Sequence, residues 1–143
     1  MQITPETFRR PELKLEPRRL IDGDADDLNR LYALEDDGLH YSGRQVSDGI
    51  YYGAYNRGRL VSAAGTHILS GAEGVAVVGN VFTHPDHRGH GYGMAVTAAV
   101  TEHLLRLMEA MATRRSSITP VPAVRRAFAR WRSGTPGVEV VEL

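Results

Sequence analysis

The pattern of apolar and polar residues along the chain predicts a mixed α/β fold. A nearly continuous apolar run at 75–83 is typical of a strand that is covered on both faces. Residues 50–55 and 60–68 also read as strands, and the Asn-Arg-Gly stretch at 56–58 between them is turn-forming, so together they predict a β-hairpin. We expect the run at 75–83 to be the central strand of the sheet.

Helical segments are predicted on both sides of these strands. Asp24 is a candidate N-cap, with Asp27 three residues later, for a first helix that runs to about Leu34. Residues 42–49 are polar enough to be a loop or a short second helix. Apolar residues with a 3.6-residue period predict a long helix at about 91–111.

The two ends of the chain carry weaker signals. Near the N-terminus, residues 13–16 alternate like a short strand and residues 18–21 continue an extended path. Beyond the long helix, residues 117–119 and 138–143 are strand-like, and residues 122–131 can form a helix begun by proline. No internal repeat or linker is apparent, so we predict a single domain over the whole chain.

Composition narrows the classes of function. The chain has 143 residues, and its 17 basic and 17 acidic residues leave no net charge that would attract nucleic acid or an anionic membrane. The absence of cysteine excludes disulfides, thiolate metal sites and cysteine nucleophiles, and is compatible with a cytoplasmic location. No apolar stretch approaches the roughly 20 residues that span a bilayer, so we expect no membrane segment.

The candidate chemistry lies in a glycine-rich turn between the central strand and the long helix. A strand, a glycine turn and a helix start aim unpaired backbone N–H groups and a helix dipole at one point, where an anion fits. Gly89, Gly91 and Gly93 tolerate positive φ and a close ligand, and Arg88 adds a full charge. Such glycines also occur simply to pack a helix against a sheet. Neither the P-loop nor the Rossmann pattern is present.

The segment 79–95 resembles the GNAT superfamily of N-acetyltransferases. Arg88-x-x-Gly91-x-Gly93 fits the acetyl-CoA signature Arg/Gln-x-x-Gly-x-Gly/Ala of that family, and the likeness extends over roughly residues 20–111. The resemblance implies an α/β (α+β) fold in which a mixed, mainly antiparallel sheet is flanked by helices and splayed open beside the strand at 75–83. The region beyond about residue 112 departs from the family pattern.

The resemblance also implies acetyl-CoA as the cofactor. Main-chain groups of Val81 and Thr83 would hold the pantetheine arm in the splay, and backbone N–H groups of the glycine loop would bind the pyrophosphate. The cofactor-binding residues implied in this way are Val81, Phe82, Thr83, Arg88, Gly89, His90, Gly91, Tyr92, Gly93 and Met94.

The catalytic groups are harder to predict, because two features common in the family are missing. Relatives often carry a glutamate base on the central strand, but residues 77–80 include no carboxylate, and no tyrosine follows Tyr92 to protonate the thiolate. His67, Asn80 and His84 are candidates to act near the reacting centre. Each of these three residues can also be explained by a purely structural role.

Two further groups of residues border the expected acceptor side. Tyr41, Tyr51 and Tyr52 are candidates for a catalytic hydroxyl, although strand tyrosines often only pack. Glu35, together with the acidic residues at 36–37, would attract a cationic amine or simply form a solvated turn.

The predicted function is direct transfer of an acetyl group from acetyl-CoA to a primary amine of a small molecule or peptide. One alternative is a degenerate GNAT domain that binds acyl-CoA as a sensor or interaction module. A second is a metal site at His84, His87 and His90, which Pro85 and the glycines make unfavourable. A homodimer, or one half of a tandem protein, is also compatible with the sequence.

Overall fold

A computed structural model describes residues 2–3, 15–36, 38–70, 75–112 and 139–142. Within these residues the chain forms six strands, three α-helices and two short 3₁₀ turns. In chain order they are β1 (Gln2–Ile3), β2 (Arg18–Arg19), a 3₁₀ turn (Asp22–Asp24), α1 (Ala25–Tyr32), α2 (Gly43–Asp48), β3 (Tyr51–Asn56), β4 (Arg59–Ser70), β5 (Val75–Thr83), a 3₁₀ turn (Pro85–His87), α3 (Tyr92–Ala112) and β6 (Glu139–Glu142).

The strands form one mixed sheet in the order β1-β6-β5-β4-β3-β2. All neighbours are antiparallel except β1 and β6, which are parallel. The predicted hairpin is confirmed as β3 and β4, whose turn places Arg57 and Gly58 at φ 50° and 77°. The predicted central strand is confirmed as β5, and the sheet is the mixed, mainly antiparallel one that the family resemblance implied.

The two halves of β5 differ in their neighbours. β6 pairs only with the first half, from Val75 to Val78. In the described residues, no strand pairs with the second half on that side. On the other side a β-bulge interrupts the pairing with β4: Gly79 and Phe82 pair with residues that are two apart, so Asn80 and Val81 both face one residue of β4. The second half of β5 is therefore the open part of the sheet.

The helices cover the two faces of the sheet. One core cluster joins α3 to the sheet, and the other joins α1 and α2 to the opposite face. The first cluster includes Val61, Ala64, Val78, Val96, Val100 and Leu104. The second includes Leu20, Leu28, Leu31, Val46, Ala63 and Phe82. Each large apolar side chain buried in this way stabilises the fold by about 1.5–3 kcal/mol.

The start of α1 differs from the prediction. The carboxylate of Asp24 does not cap the helix; it accepts a hydrogen bond from the Ile21 N–H (2.9 Å) and pairs with the Arg18 guanidinium at 2.7 Å. α1 ends at Tyr32, near its predicted end. Asp24 therefore ties α1 to the neighbouring strand β2, because a charged partner six residues upstream competes for its oxygens.

The remaining predictions have mixed outcomes. Residues 42–49 do contain a short helix, α2, in which Ser42 and Gln45 form a capping box. The long helix is confirmed as α3, and the final strand as β6. Of the predicted strand at 13–16, the described residues 15 and 16 are not extended as a strand, and residues 13 and 14 lie outside the described residues.

Two other predicted elements, at 117–119 and 122–131, lie outside the described residues. The single-domain organisation stays a prediction. No described helix is long and apolar enough to cross a membrane.

Candidate active site

The glycine loop connects the end of β5 to the start of α3. The Pro85–His87 turn follows β5, and the chain then passes Gly89 and Gly91 before α3 begins at Tyr92. These two glycines have φ values of 77° and 82°, in the left-handed region that side-chain-bearing residues rarely adopt. A Cβ at either position would meet no heavy atom within 4 Å, so backbone conformation alone requires glycine there.

The loop presents an unpaired row of backbone N–H groups. The first backbone bond of α3 runs from the Ala95 N–H to the Gly91 carbonyl (3.0 Å). No described acceptor takes a hydrogen bond from the backbone N–H groups of the six residues before Ala95, which are Gly89, His90, Gly91, Tyr92, Gly93 and Met94. These donors lie at the positive end of a 21-residue helix. The loop can therefore bind an anion with its main chain.

Gly93 serves a different purpose from Gly89 and Gly91. A Cβ at Gly93 would lie 3.2 Å from the Thr83 Oγ1, a closer approach than side chains usually make. Gly93 therefore lets the first turn of α3 pack against the end of β5. Both explanations of the glycines therefore apply in this loop: Gly89 and Gly91 suit an anion-binding backbone, and Gly93 allows close packing.

Arg88 holds its charge next to this loop. Its Nε donates to the Thr83 carbonyl (3.1 Å), and its guanidinium carbon lies 5.6 Å from the centre of the Phe82 ring. The residue is exposed. Arg88 therefore fixes the loop to β5 while its remaining N–H donors face solvent, where a phosphate oxygen can reach them.

The other side chains of the loop support its shape. The Nδ1 of His90 lies 2.8 Å from the Arg88 carbonyl, and because a carbonyl only accepts, this nitrogen donates. The buried Tyr92 ring meets the His87 ring edge-on at 5.8 Å. Met94 is exposed on the first turn of α3. These contacts keep the backbone of the loop in place.

The predicted pantetheine-binding residues lie along the open half of β5. Val81 packs against the core on the α3 face, whereas Phe82 is buried on the face of α1 and α2. The hydroxyl of Ser62 contacts the Phe82 carbonyl (3.1 Å) and the Thr83 Oγ1 (2.8 Å). The end of β5 is therefore braced from β4 while its opposite edge has no described strand partner.

Asn80 lies in the bulge of β5 at φ 52°, a conformation that asparagine tolerates better than most residues. Its carbonyl accepts a hydrogen bond from the Tyr32 hydroxyl, and its Nδ2 donates to the Tyr51 hydroxyl at 3.4 Å. It borders a pocket of about 450 Å³, here called the Asn80 pocket. The residues that line it are Tyr41, Gln45, Asp48, Gly49, Tyr51, Thr66 and Asn80.

Of the three catalytic candidates, Asn80 and His84 border different pockets. His84 follows β5 and accepts the Asp86 N–H at its Nδ1 (3.2 Å), which makes it the cap of the Pro85–His87 turn. It lines a different pocket of about 380 Å³, with Asp27, Arg30, Leu31, Leu34, Arg57, Gly58, Arg59 and Leu60. His67 lies in β4 where the pairing with β5 shifts register, and its side chain lies outside the described residues.

The tyrosines of the Asn80 pocket are neutral donors rather than bases. Burial raises the pKa of Tyr51 to about 12, and burial also raises the pKa of Tyr41. The pKa of Tyr32 is raised well above its usual value by burial as well. Their hydroxyls therefore stay protonated at neutral pH and can donate or accept hydrogen bonds.

Some of the other residues that were predicted to border the acceptor side line the Asn80 pocket, and the rest lie elsewhere. Tyr41 and Tyr51 line the Asn80 pocket, but Tyr52 does not: its hydroxyl lies 2.9 Å from the His103 Nδ1 on the α3 side. The Asp36 carboxylate accepts the Gly38 N–H (2.9 Å) and Glu35 is exposed, so both belong to a solvated turn. Asp37 lies outside the described residues.

The histidines of the proposed metal site have other partners. Besides the capping role of His84 and the Nδ1 bond of His90, the His87 Nδ1 lies 3.5 Å from the Asn56 Nδ2. In the part of the chain that the structure describes, no group of three or more histidines and carboxylates is arranged to hold a metal ion.

Sequence reasoning missed the bulge and the Asp48 side of the pocket, and it did not assign the packing role to Gly93 in particular. The pair Gly79-Asn80 was the available signal for the bulge, since both residues tolerate unusual backbone angles. The pocket gave no local signal, because its residues come from α2, β3, β4 and β5.

Comparison with known families decides the class of protein. The model of the acetyltransferase (GNAT) family matches residues 7–119, more than half of the chain. The chain belongs to this family. The matched residues include α1, the hairpin, the bulged strand and the glycine loop. Comparison with curated proteins gives no match.

Solved structures support the GNAT fold. A GNAT-family protein from Novosphingobium aromaticivorans is 19% identical with a TM-score of 0.56, and the match covers 94% of this chain and 47% of that one. N-acetylglutamate synthase from Neisseria gonorrhoeae, solved with coenzyme A and N-acetyl-glutamate, is 20% identical with a TM-score of 0.59. There the match covers 93% of this chain and 36% of that one. This GNAT chain thus spans about half or less of either structure, and the likeness concerns the fold.

Proposed function

We propose that the chain transfers an acetyl group from acetyl-CoA directly to a primary amine of a small molecule or peptide. The observation that carries the proposal is the row of six N–H groups, from Gly89 to Met94, that have no acceptor among the described residues at the start of α3. Family membership supports it, and one structural neighbour was solved with coenzyme A. A cytoplasmic location and a homodimer stay predictions from the sequence.

The residues present fit acetyl-CoA. A pyrophosphate carries the negative charge that the N–H row and Arg88 favour. The open half of β5, next to the loop, offers main-chain groups of Val81 and Thr83 to an extended arm in the way that a sheet edge binds a strand. Bound acetyl-CoA would supply a thioester carbonyl carbon that an amine can attack.

The chain itself supplies orientation and hydrogen bonds in this proposal. The reaction forms an N–C amide bond and breaks the C–S bond, and the proton lost by the amine ends on the sulfur through solvent. Asn80 and the Tyr51 hydroxyl hold the amine at the bulge, where a β-bulge frees peptide groups from the ladder. Because neither group is a base at neutral pH, neither of them takes the proton that the amine loses.

The alternative is an acyl-CoA-binding domain without catalytic activity. It is favoured by the absence of a carboxylate at residues 77–80 and by the raised pKa values of the pocket tyrosines, which leave the described pocket without a strong base. Such a domain would use the same loop and would act as a sensor or interaction module.

Two measurements on the purified chain distinguish these functions. Calorimetric titration with acetyl-CoA and with CoA measures cofactor binding, and release of free CoA in the presence of amines measures transfer. Binding together with amine-dependent release supports the transferase. Binding without release for any amine supports the acyl-CoA-binding domain, and no binding contradicts both.

A further inference from the structure

The charge that the described residues contribute to the lining of the Asn80 pocket is negative. Of the residues that line it, Asp48 is the one with a carboxylate side chain, and no described lysine, arginine or histidine lines the pocket. The remaining lining consists of two aromatic rings, amide and hydroxyl groups, and glycine. A pocket of this composition attracts a cation and repels an anion.

Asp48 is available to a ligand. It is the last residue of α2, and its side chain is 70% exposed. Its only described ion pair is with the Arg44 Nε, at 3.3 Å, and the Arg44 side chain is 89% exposed. Exposed pairs of this kind contribute little free energy, so a ligand cation can displace Arg44. Arg44 itself does not line the pocket.

The rings of the pocket are held in fixed positions. The side-chain amide of Asn29 donates to the Tyr41 carbonyl (2.9 Å), and its oxygen accepts the Tyr41 N–H (2.7 Å). The centres of the Tyr41 and Tyr51 rings lie 5.7 Å apart. Aromatic rings beside a carboxylate bind cations through the ring face.

The Tyr51 ring is fixed from both sides by glycines. A Cβ at Gly65 would lie 2.2 Å from the ring, and one at Gly49 would lie 2.7 Å from it. Neither position can therefore bear a side chain unless the ring moves. Tyr51 thus keeps the orientation in which its hydroxyl meets Asn80.

We propose that the Asn80 pocket selects an acceptor with two positively charged groups, a diamine, and disfavours an acceptor that carries a carboxylate. One ammonium group lies between Asp48 and the Tyr41 ring, while the second amine, uncharged when it reacts, reaches Asn80. This inference rests on the proposed acetyl transfer, because it names the substrate class of that reaction. A carboxylate in place of the first ammonium group would be repelled by Asp48, and no described cation among the lining residues would offset that repulsion.

Three amines with the same number of carbons test the inference. 1,4-Diaminobutane, butylamine and 4-aminobutanoate share one reacting amine and differ only in the group at the other end. We expect kcat/KM to be at least about tenfold higher for 1,4-diaminobutane than for butylamine, and lowest for 4-aminobutanoate. Equal values for 1,4-diaminobutane and butylamine, or a preference for 4-aminobutanoate, would overturn the inference.

Variants of the pocket locate the effect. Asp48→Asn should raise KM for 1,4-diaminobutane several-fold, and should raise KM for butylamine much less. Asp26→Asn, which removes an exposed carboxylate outside the pocket, should change neither. Tyr41→Phe should keep the low KM and Tyr41→Leu should raise it, because only phenylalanine retains the ring face. If Asp48→Asn behaves like Asp26→Asn, the inference is wrong.

A binding measurement separates this inference from the proposed function. 1,4-Diaminobutane and butylamine are titrated calorimetrically into protein saturated with CoA. Binding of the diamine alone, without acetylation of any amine, would retain the inferred selectivity and contradict the transfer reaction. Acetylation of other amines without binding of 1,4-diaminobutane would contradict the selectivity and retain the transfer reaction. If 1,4-diaminobutane is neither bound nor acetylated, the inference is wrong.

Discussion

At the scale of single residues, glycine is required for two different physical reasons. Gly89 and Gly91 adopt positive φ and have open space around them, so they serve the backbone of the anion-binding loop. Gly65 and Gly93 lie where another group approaches closely, and they serve packing. A substitution should therefore affect ligand binding at the first pair and stability or side-chain orientation at the second.

Gly65→Ala is predicted to destabilise the fold. The added methyl group would overlap the Tyr51 ring, which would have to move within a packed cluster, and overpacking of this kind costs about 1–3 kcal/mol. Urea denaturation measures the change in the free energy of unfolding. Gly23→Ala is the control, because a Cβ there meets nothing within 4 Å and φ is not positive. Equal stability of the two variants would show that the Tyr51 ring is not fixed by Gly65.

Residues whose partners lie outside their own helix or strand were the ones that the sequence could not predict. The neighbouring sequence predicts that Asp24 is a helix cap, but in the structure its carboxylate forms an ion pair with Arg18. The pKa of Asp24 is lowered, first by its hydrogen bond with Arg18, although desolvation opposes the shift. Asn80 reads as an ordinary strand residue, and its role depends on a bulge and on tyrosines that are distant in the sequence.

At the scale of elements, the predictions succeeded where the signal is local. The hairpin has a turn sequence, β5 has a continuous apolar run, and α3 has a helical period, so all three could be placed from the sequence. The pairing of β6 with only half of β5, and the bulge in the other half, depend on tertiary contacts. The open edge could thus be expected only through the family resemblance.

The docking of α3 on the sheet is predicted to depend on pH. His103 of α3 lies 2.9 Å from the Tyr52 hydroxyl and 3.4 Å from an Nη of Arg19. Burial, and then the charges of Arg19 and Arg106, lower the pKa of His103. The unfolded chain therefore binds a proton at this position more readily than the folded chain does. Stability should be complete above the usual histidine pKa of about 6.5 and should fall as the pH drops below it.

His103→Gln tests this pH dependence. Urea unfolding of the variant should show a smaller loss of stability between about pH 7.5 and pH 5 than the natural chain does. His40→Gln, which replaces an exposed histidine, should leave the loss unchanged. If the His103→Gln variant loses as much stability over this range as the natural chain, the assignment of the pH dependence to His103 is wrong.

At the scale of the whole molecule, the glycine loop and the Asn80 pocket lie on opposite faces of the sheet, but both border the strand β5. The glycine loop and the first turn of α3 lie on one face, and the Asn80 pocket, with α1 and α2, lies on the other. Both border the second half of β5, where the sheet is open and bulged. In the proposed reaction, an acyl donor held by the loop and an amine held by the pocket would meet at this stretch of backbone.

The most direct test of this account is calorimetric titration of acetyl-CoA into two matched variants, Gly91→Leu and Gly58→Leu. Both glycines have similar positive φ, 82° and 77°, and a Cβ at either meets nothing within 4 Å, so the backbone strain is comparable. Only Gly91 belongs to the loop. We predict at least tenfold weaker binding for Gly91→Leu and natural affinity for Gly58→Leu. Equal affinity of both variants, with the fold intact, would contradict the claim that the loop binds acetyl-CoA.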